Sequence, residues 1–162
     1  MAIKPTLYWI NSENGIRLAI VQRPRGWSYL DDDLSALKNA GIENIVSLLP
    51  ADEAAMLGIP DEEAACEHAG LGFFSLPIPD GCVPDRDDRF MHMITMLKSI
   101  LINGGSVGIH CRAGIGRSCL VAACLMQTTG MAADTALTAI EKARGCKVPD
   151  TPEQRSWILQ FS

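Results

Sequence analysis

Cys111, Arg117 and Ser118 close the run Val107-Gly108-Ile109-His110-Cys111-Arg112-Ala113-Gly114-Ile115-Gly116-Arg117-Ser118, and the chemistry open to these residue types at this spacing is nucleophilic attack on phosphorus. An apolar strand runs into a loop of small residues and then into a helix. Gly114 and Gly116 let the backbone curl so that successive N–H groups point inward, and the following helix presents the positive end of its dipole. A phosphate fits such a concavity, cradled by residues Arg112, Ala113, Gly114, Ile115, Gly116 and Arg117. An ATP-binding loop requires a lysine after its last glycine. Arg117 stands there instead, and a guanidinium can hold two phosphate oxygens through parallel charge-assisted hydrogen bonds.

Cys111 opens the loop, which places its sulfur at the bottom of the ring of donors. The N–H groups, the helix dipole and Arg117 all favour a thiolate. A thiolate that attacks phosphorus forms a phosphocysteine, and the equatorial oxygens of the loose transition state stay in the cradle throughout. This chemistry requires no metal and no cofactor.

The elements that must position these residues follow from pattern. Leu7 to Ile10 and Arg17 to Gln22 flank the turn-forming Asn11-Ser12-Glu13-Asn14-Gly15 and predict a hairpin. Ser28 or Asp31 is expected to cap a short helix through Ala40, stopped by Gly41 before a buried strand, Ile45 to Leu49. A helix over Asp61 to Ala69 gives way at Gly70 to a strand over Phe73 to Leu76, followed by an irregular, exposed loop, Pro77 to Pro84. A helix over Asp87 to Ile102 puts Phe90, Ile94, Leu97 and Leu101 on one face, and Gly104-Gly105 ends it. After the strand Val107 to His110 come three helical patterns, Ser118 to Thr129, Ala133 to Ala143 and Thr151 to Phe161. The alternation predicts an α/β fold with a central, mostly parallel, twisted sheet and helices on both faces.

Composition narrows the class. The 162 residues, 48% of them hydrophobic, suit one domain, residues 1–162, with a real core. A net charge of -5 offers no general attraction to nucleic acid or anionic membrane, so any affinity for phosphate must be local. No stretch is long and apolar enough to span a bilayer and the first residues lack a secretory pattern, so a cytoplasmic protein is expected. The six cysteines form neither a disulfide framework nor a C-x-x-C pair, and zinc is not expected. Most of them read as small buried hydrophobes. Arg23, Arg25 and Trp27 read as a solvated turn, and Asp31-Asp32-Asp33 as a helix start rather than a metal site.

The signature His110-Cys111-x5-Arg117-Ser118 resembles that of the protein tyrosine and dual-specificity phosphatase superfamily, and its filling Arg-Ala-Gly-Ile-Gly resembles the dual-specificity branch. Residues 116–125, Gly-Arg-Ser-Cys-Leu-Val-Ala-Ala-Cys-Leu, together with Pro77-Ile78-Pro79-Asp80-Gly81 and Pro84-Asp85, resemble the cyclin-dependent-kinase-associated phosphatases. The resemblance implies Cys111 as nucleophile, Arg117 as phosphate ligand, Ser118 as the hydroxyl that eases thiolate departure, and Asp80 as general acid. Asp85 is the alternative acid, since it lies in the same loop and also follows a proline. Gln154 matches a position that orients the hydrolytic water, and His110 one that holds the loop around the cysteine. The implied substrate is a phosphorylated protein or peptide, carrying phosphotyrosine and also phosphoserine or phosphothreonine, acted on by a monomer. Two alternatives stay open: a phosphoinositide or other small phosphate ester, although lipid-directed relatives carry lysines where this loop has Arg112 and Ile115, and a non-catalytic phosphoprotein-binding module. Cys66 and Cys82 are candidates to trap an oxidised Cys111.

Overall fold

The computed structural model describes residues 4–85 and 87–161. The opening hairpin forms as expected, β1 (Leu7–Trp9) antiparallel to β2 (Arg17–Val21), with Leu7 opposite Val21. A 3-10 turn, Trp27–Tyr29, runs directly into α1 (Leu30–Asn39). Neither Ser28 nor Asp31 caps this helix: Tyr29 holds the cap position, with no side-chain bond. The reason is local, because the 3-10 turn already supplies the carbonyls, Tyr29 N–H donating to Gly26 and Leu30 N–H to Trp27.

β3 (Asn44–Ser47) is followed by α2 (Ala51–Met56), a short helix that buries no residue and that hydrophobic periodicity therefore did not predict. Next come α3 (Glu62–Ala69), ended by Gly70 in the left-handed region at φ 77°, and β4 (Gly72–Ser75). α4 (Asp88–Ile102) starts at Asp87, whose carboxylate accepts from the Arg89 N–H, and buries Phe90, Ile94, Leu97 and Leu101 as expected. The last elements are β5 (Ser106–His110), α5 (Arg117–Thr128), α6 (Ala133–Arg144) and α7 (Pro152–Gln160).

The sheet order is β1-β2-β5-β3-β4, with β2, β5, β3 and β4 mutually parallel and β1 antiparallel at one edge. Strand alternation divides the core into two layers. Leu18, Ile20, Val46, Val107 and Ile109 pack with residues of α4 to α7, whereas Ala19, Val21 and Ile45 pack with α1 and α3. Buried from Arg117 through Met126, α5 is the central helix of the first layer. It carries Cys119 and Cys124 as core residues, and burial pushes both thiols up. β5 lies between β2 and β3 and parallel to both, so it emerges in the middle of the edge where their carboxyl ends meet. In an open parallel sheet, ligands bind outside that edge.

Candidate active site

β5 ends at His110 and α5 begins at Arg117, leaving Cys111 to Gly116 to turn back over the amino end of the helix. Cys111 follows the alternation of its strand and packs into the α4–α7 layer, 3% exposed. Gly114 takes a φ of 70°, where other residues are strained. Gly116 is required for a different reason: a Cβ there would come 3.0 Å from both the Asp150 Cβ and the Gln154 Oε1. The Ser118 hydroxyl, one residue into α5, is buried without a hydrogen-bond partner among the described residues. A buried orphan of this kind calls for an explanation, and a hydroxyl held free beside the loop is available to whatever charge forms there.

Arg117 is 2% exposed. Its Nη1 donates to Glu53 Oε1 and to the Ile78 carbonyl, and its Nη2 donates to Glu53 Oε2, each at 2.9 Å. Three of the five N–H donors of the guanidinium are thereby taken among the described residues, and the second Nη2–H lies on the nitrogen that Asp80 approaches. Asp80 Oδ1 stands 3.3 Å from that Nη2, on a side chain that is otherwise 69% exposed. The structure thus brings Asp80 to Arg117, while Asp85 lines a groove with Pro50, Leu76 and Phe90.

The hydrogen bonds from Arg117 hold the Glu53 carboxyl below the ordinary glutamate range, outweighing the upward push of partial burial. Burial opposes the charge of Arg117, but the bonds to Glu53 and the charges of Cys111, Glu53 and Asp80 outweigh it and raise its pKa. Because the Glu53 pKa is depressed in the folded state, its stabilisation is present above the unfolded value, about 4.3, and is lost as pH falls through the folded value. Glu53→Gln is accordingly expected to lower Tm at neutral pH, with the gap to wild type closing as the pH drops below about 4. Thermal melts across that range check this.

Other side chains brace the site. His110 meets Glu62 Oε1 through Nε2 at 2.6 Å and the Cys111 carbonyl through Nδ1 at 3.3 Å, so both ring nitrogens are engaged in a buried position. Gln154 is fully buried: its Oε1 accepts from the Asp150 and Thr151 N–H groups and its Nε2 donates to the Cys82 carbonyl. The 77–84 loop, read from sequence as exposed and irregular, is therefore tied at two points, Ile78 to Arg117 and Cys82 to Gln154. It remains without helix or strand.

Sequence reasoning missed Glu53, Glu62 and Arg144. Arg144 donates from Nε to the Gly114 carbonyl at 2.8 Å and from Nη2 to the Ala113 carbonyl at 3.4 Å. A signal existed for the first of these residues, since Pro50 followed by Asp52 and Glu53 is a helix-start pattern. Glu62 lies beside Glu63 in the first turn of α3, a local pattern that carries no such signal. Of the remaining candidates, Arg25 is paired through its guanidinium with Asp33 and stacks on Tyr29 at 4.3 Å, and Trp27 is 74% exposed with its indole against Gly58. All six cysteines are free thiols. Cys66 packs in the α1/α3 layer, where burial pushes it up to about 12, and Cys82 is exposed.

A cysteine at the end of a central parallel strand, a glycine-bearing loop closed by a buried arginine at a helix start, and a carboxylate brought to that arginine from a neighbouring loop define the class of the dual-specificity phosphatases. The comparisons agree. Residues 19–131 match the model of the family described as Tc-R-P: polymorphic toxin system, DSP-PTPase phosphatase, and the chain belongs to this family. Cyclin-dependent kinase inhibitor 3 of Rattus norvegicus is 28% identical over 134 residues, 82% of this chain and 63% of the relative. The Homo sapiens protein of the same name is 29% identical over 131 residues, 80% and 61% of the two chains. The chain therefore spans less than two thirds of the length of these curated relatives. Among solved structures, kinase associated phosphatase with its catalytic-site cysteine replaced by serine superposes with a TM-score of 0.88 at 23% identity, over 99% of this chain and 96% of the other. Tk-PTP in its active form gives 0.77 at 23%, over 98% and 97%. At this identity the two structures establish the fold.

Proposed function

We propose that this chain hydrolyses phosphotyrosine, and phosphoserine or phosphothreonine, in a protein or peptide through a phosphocysteine on Cys111. The observation that carries the reading is the buried arginine at the close of the Cys111 loop, fixed by Glu53 and the Ile78 carbonyl, with Asp80 brought to 3.3 Å from its Nη2. The Cys111 thiolate attacks phosphorus while the phosphate oxygens are held by Arg117 and by the N–H groups of residues 112–117. As the P–O bond to the side chain breaks, Asp80 transfers its proton to the leaving oxygen. Ionised Asp80 then takes a proton from the water that attacks the phosphocysteine, and Ser118 donates a hydrogen bond to the departing thiolate. His110 and Gln154 support these groups, His110 through the Cys111 carbonyl and Gln154 by tying the acid loop beside Gly116. No step calls for a metal or cofactor.

The same reading takes residues 1–162 as one catalytic domain acting as a cytoplasmic monomer, which size-exclusion chromatography and cell fractionation test. No helix among the described residues is long and apolar enough to cross a membrane. The deciding experiment is hydrolysis of p-nitrophenyl phosphate, a phosphotyrosine peptide and soluble phosphoinositide head groups in the presence of EDTA, with rapid-quench trapping of the phosphoenzyme. Peptide turnover with a trapped phosphocysteine supports the proposal. Preference for head groups, or phosphopeptide binding without turnover, overturns it.

The acid assignment has its own test. Asp80→Asn should slow the peptide reaction by about 10²-fold. It should leave p-nitrophenyl phosphate much less affected, because nitrophenolate leaves without a proton. Asp85→Asn should match wild type on both substrates, and the reverse pattern would transfer the role to Asp85.

A further inference from the structure

We propose that Arg144 is a positioning residue of the phosphate loop, holding two loop carbonyls away from the pocket so that the N–H groups of Gly114 and Ile115 are presented to the phosphate. The inference rests on the reading of residues 111–117 as a phosphate site.

A trans peptide is planar, and its C=O points opposite to the N–H of the next residue. The direction of one carbonyl therefore sets the direction of the following donor. Arg144 holds the Ala113 carbonyl from Nη2 at 3.4 Å and the Gly114 carbonyl from Nε at 2.8 Å. With those oxygens turned toward Arg144, the Gly114 and Ile115 N–H groups must point the other way. The Cys119 thiol, from α5, donates to the same Gly114 carbonyl at 3.6 Å. Two elements on the outside of the loop thus fix one peptide.

The loop needs such a restraint. Its residues 111–116 lie in neither helix nor strand, and a glycine at 114 removes the side-chain barrier that would otherwise resist rotation of its flanking peptides. A flipped peptide would aim a carbonyl oxygen at the phosphate instead of a donor. Arg144 can bond both carbonyls only in the unflipped arrangement, since its fork spans them through two different nitrogens. The guanidinium is itself fixed: its carbon sits 4.3 Å from the centre of the Tyr8 ring, and it occupies the last position of α6 before Gly145 turns the chain away at φ 73°. Tyr8 belongs to the edge strand β1, so the antiparallel hairpin acquires a role in the site.

The restraint is geometric rather than a matter of charge, and this makes it separable. In wild type, inorganic phosphate titrated into 15N-labelled protein should shift the Gly114 and Ile115 amides strongly. Arg144→Ala should weaken phosphate binding at least tenfold, shrink those two shifts and lower kcat more than it changes KM. Arg144→Lys keeps the charge but loses the fork, and it should bind phosphate nearly as weakly as the alanine variant. Tyr8→Leu should weaken phosphate binding in the same direction by a smaller factor. Wild-type phosphate affinity in Arg144→Lys would overturn the positioning role in favour of simple charge, and it decides the matter even where Arg144→Ala fails to fold. Wild-type affinity in a folded Arg144→Ala would overturn the proposal outright. A wild type that neither binds phosphate nor turns over p-nitrophenyl phosphate would overturn the underlying reading of the loop as well.

Discussion

Cys111→Ser should reduce phosphate-ester hydrolysis to the uncatalysed background and leave the fold and the anion site intact. On the proposed mechanism the effect is large because a serine hydroxyl is a far weaker nucleophile than a cysteine sulfur, and Asp80 is assigned there as the acid of the first step rather than as a base for residue 111. His110 is not that base, as both of its ring nitrogens are already engaged, one with Glu62 and one with the Cys111 carbonyl. Serine is slightly smaller than cysteine and the position is 3% exposed, so packing changes little. The phosphate ligands proposed for Arg117 and the loop backbone are untouched. Kinetics on p-nitrophenyl phosphate, together with tungstate binding by calorimetry and a thermal melt, check all three parts. Residual turnover above background would mean that the nucleophile lies elsewhere.

The largest expected loss of stability comes from Glu62→Ala. Glu62 and His110 are both buried and meet at 2.6 Å, joining the first turn of α3 to the end of β5. Truncating one partner leaves the other without its bond in a buried position, which costs roughly 1 to 3 kcal/mol. For a domain of this size that corresponds to a fall in Tm of roughly 2 to 12 °C. Replacing both partners together, Glu62→Ala with His110→Ala, should cost less than the sum of the two single changes, because neither polar side chain is then stranded. Thermal unfolding of the four proteins measures this directly. Strict additivity would show that the contact contributes nothing to folding.

Both predictions join a residue that its neighbours in sequence made conspicuous to one that they did not. Cys111, Gly114, Gly116, Arg117 and Ser118 are contiguous, so the geometry they impose on a strand, a turn and a helix start is local and can be read in order. The same holds for α4, whose buried face repeats at the helical period, and for the sheet, whose parallel strands are separated by helical segments. α2 escaped because it buries nothing and so carries no period. The cap expected at Ser28 or Asp31 failed because a 3-10 turn had already partnered the helix start, while Asp33 of the same acidic run accepts from the Arg25 N–H and guanidinium. Hydrogen bonding to backbone is a competition among nearby groups, and its winner depends on the path of the chain just upstream.

Periodicity and contiguous motif are properties of neighbouring residues, so the class of fold and the residues of the Cys111 loop are legible along the chain. How that loop is held depends on contacts between residues far apart in the chain. Glu53 reaches Arg117 across 64 positions, Glu62 reaches His110 across 48, and Arg144 reaches the Gly114 carbonyl across 30. In sequence Asp80 is favoured over Asp85 only by its place in the resembling motif, and its approach to the guanidinium, beside the Ile78 carbonyl that Arg117 holds, is a tertiary contact. A carboxylate or guanidinium on a helix surface has the same local pattern whether water or a loop faces it. What faces it is set by the packing of helices on the two sides of the sheet, and this packing is decided by the burial of many apolar side chains at once rather than by any residue beside it.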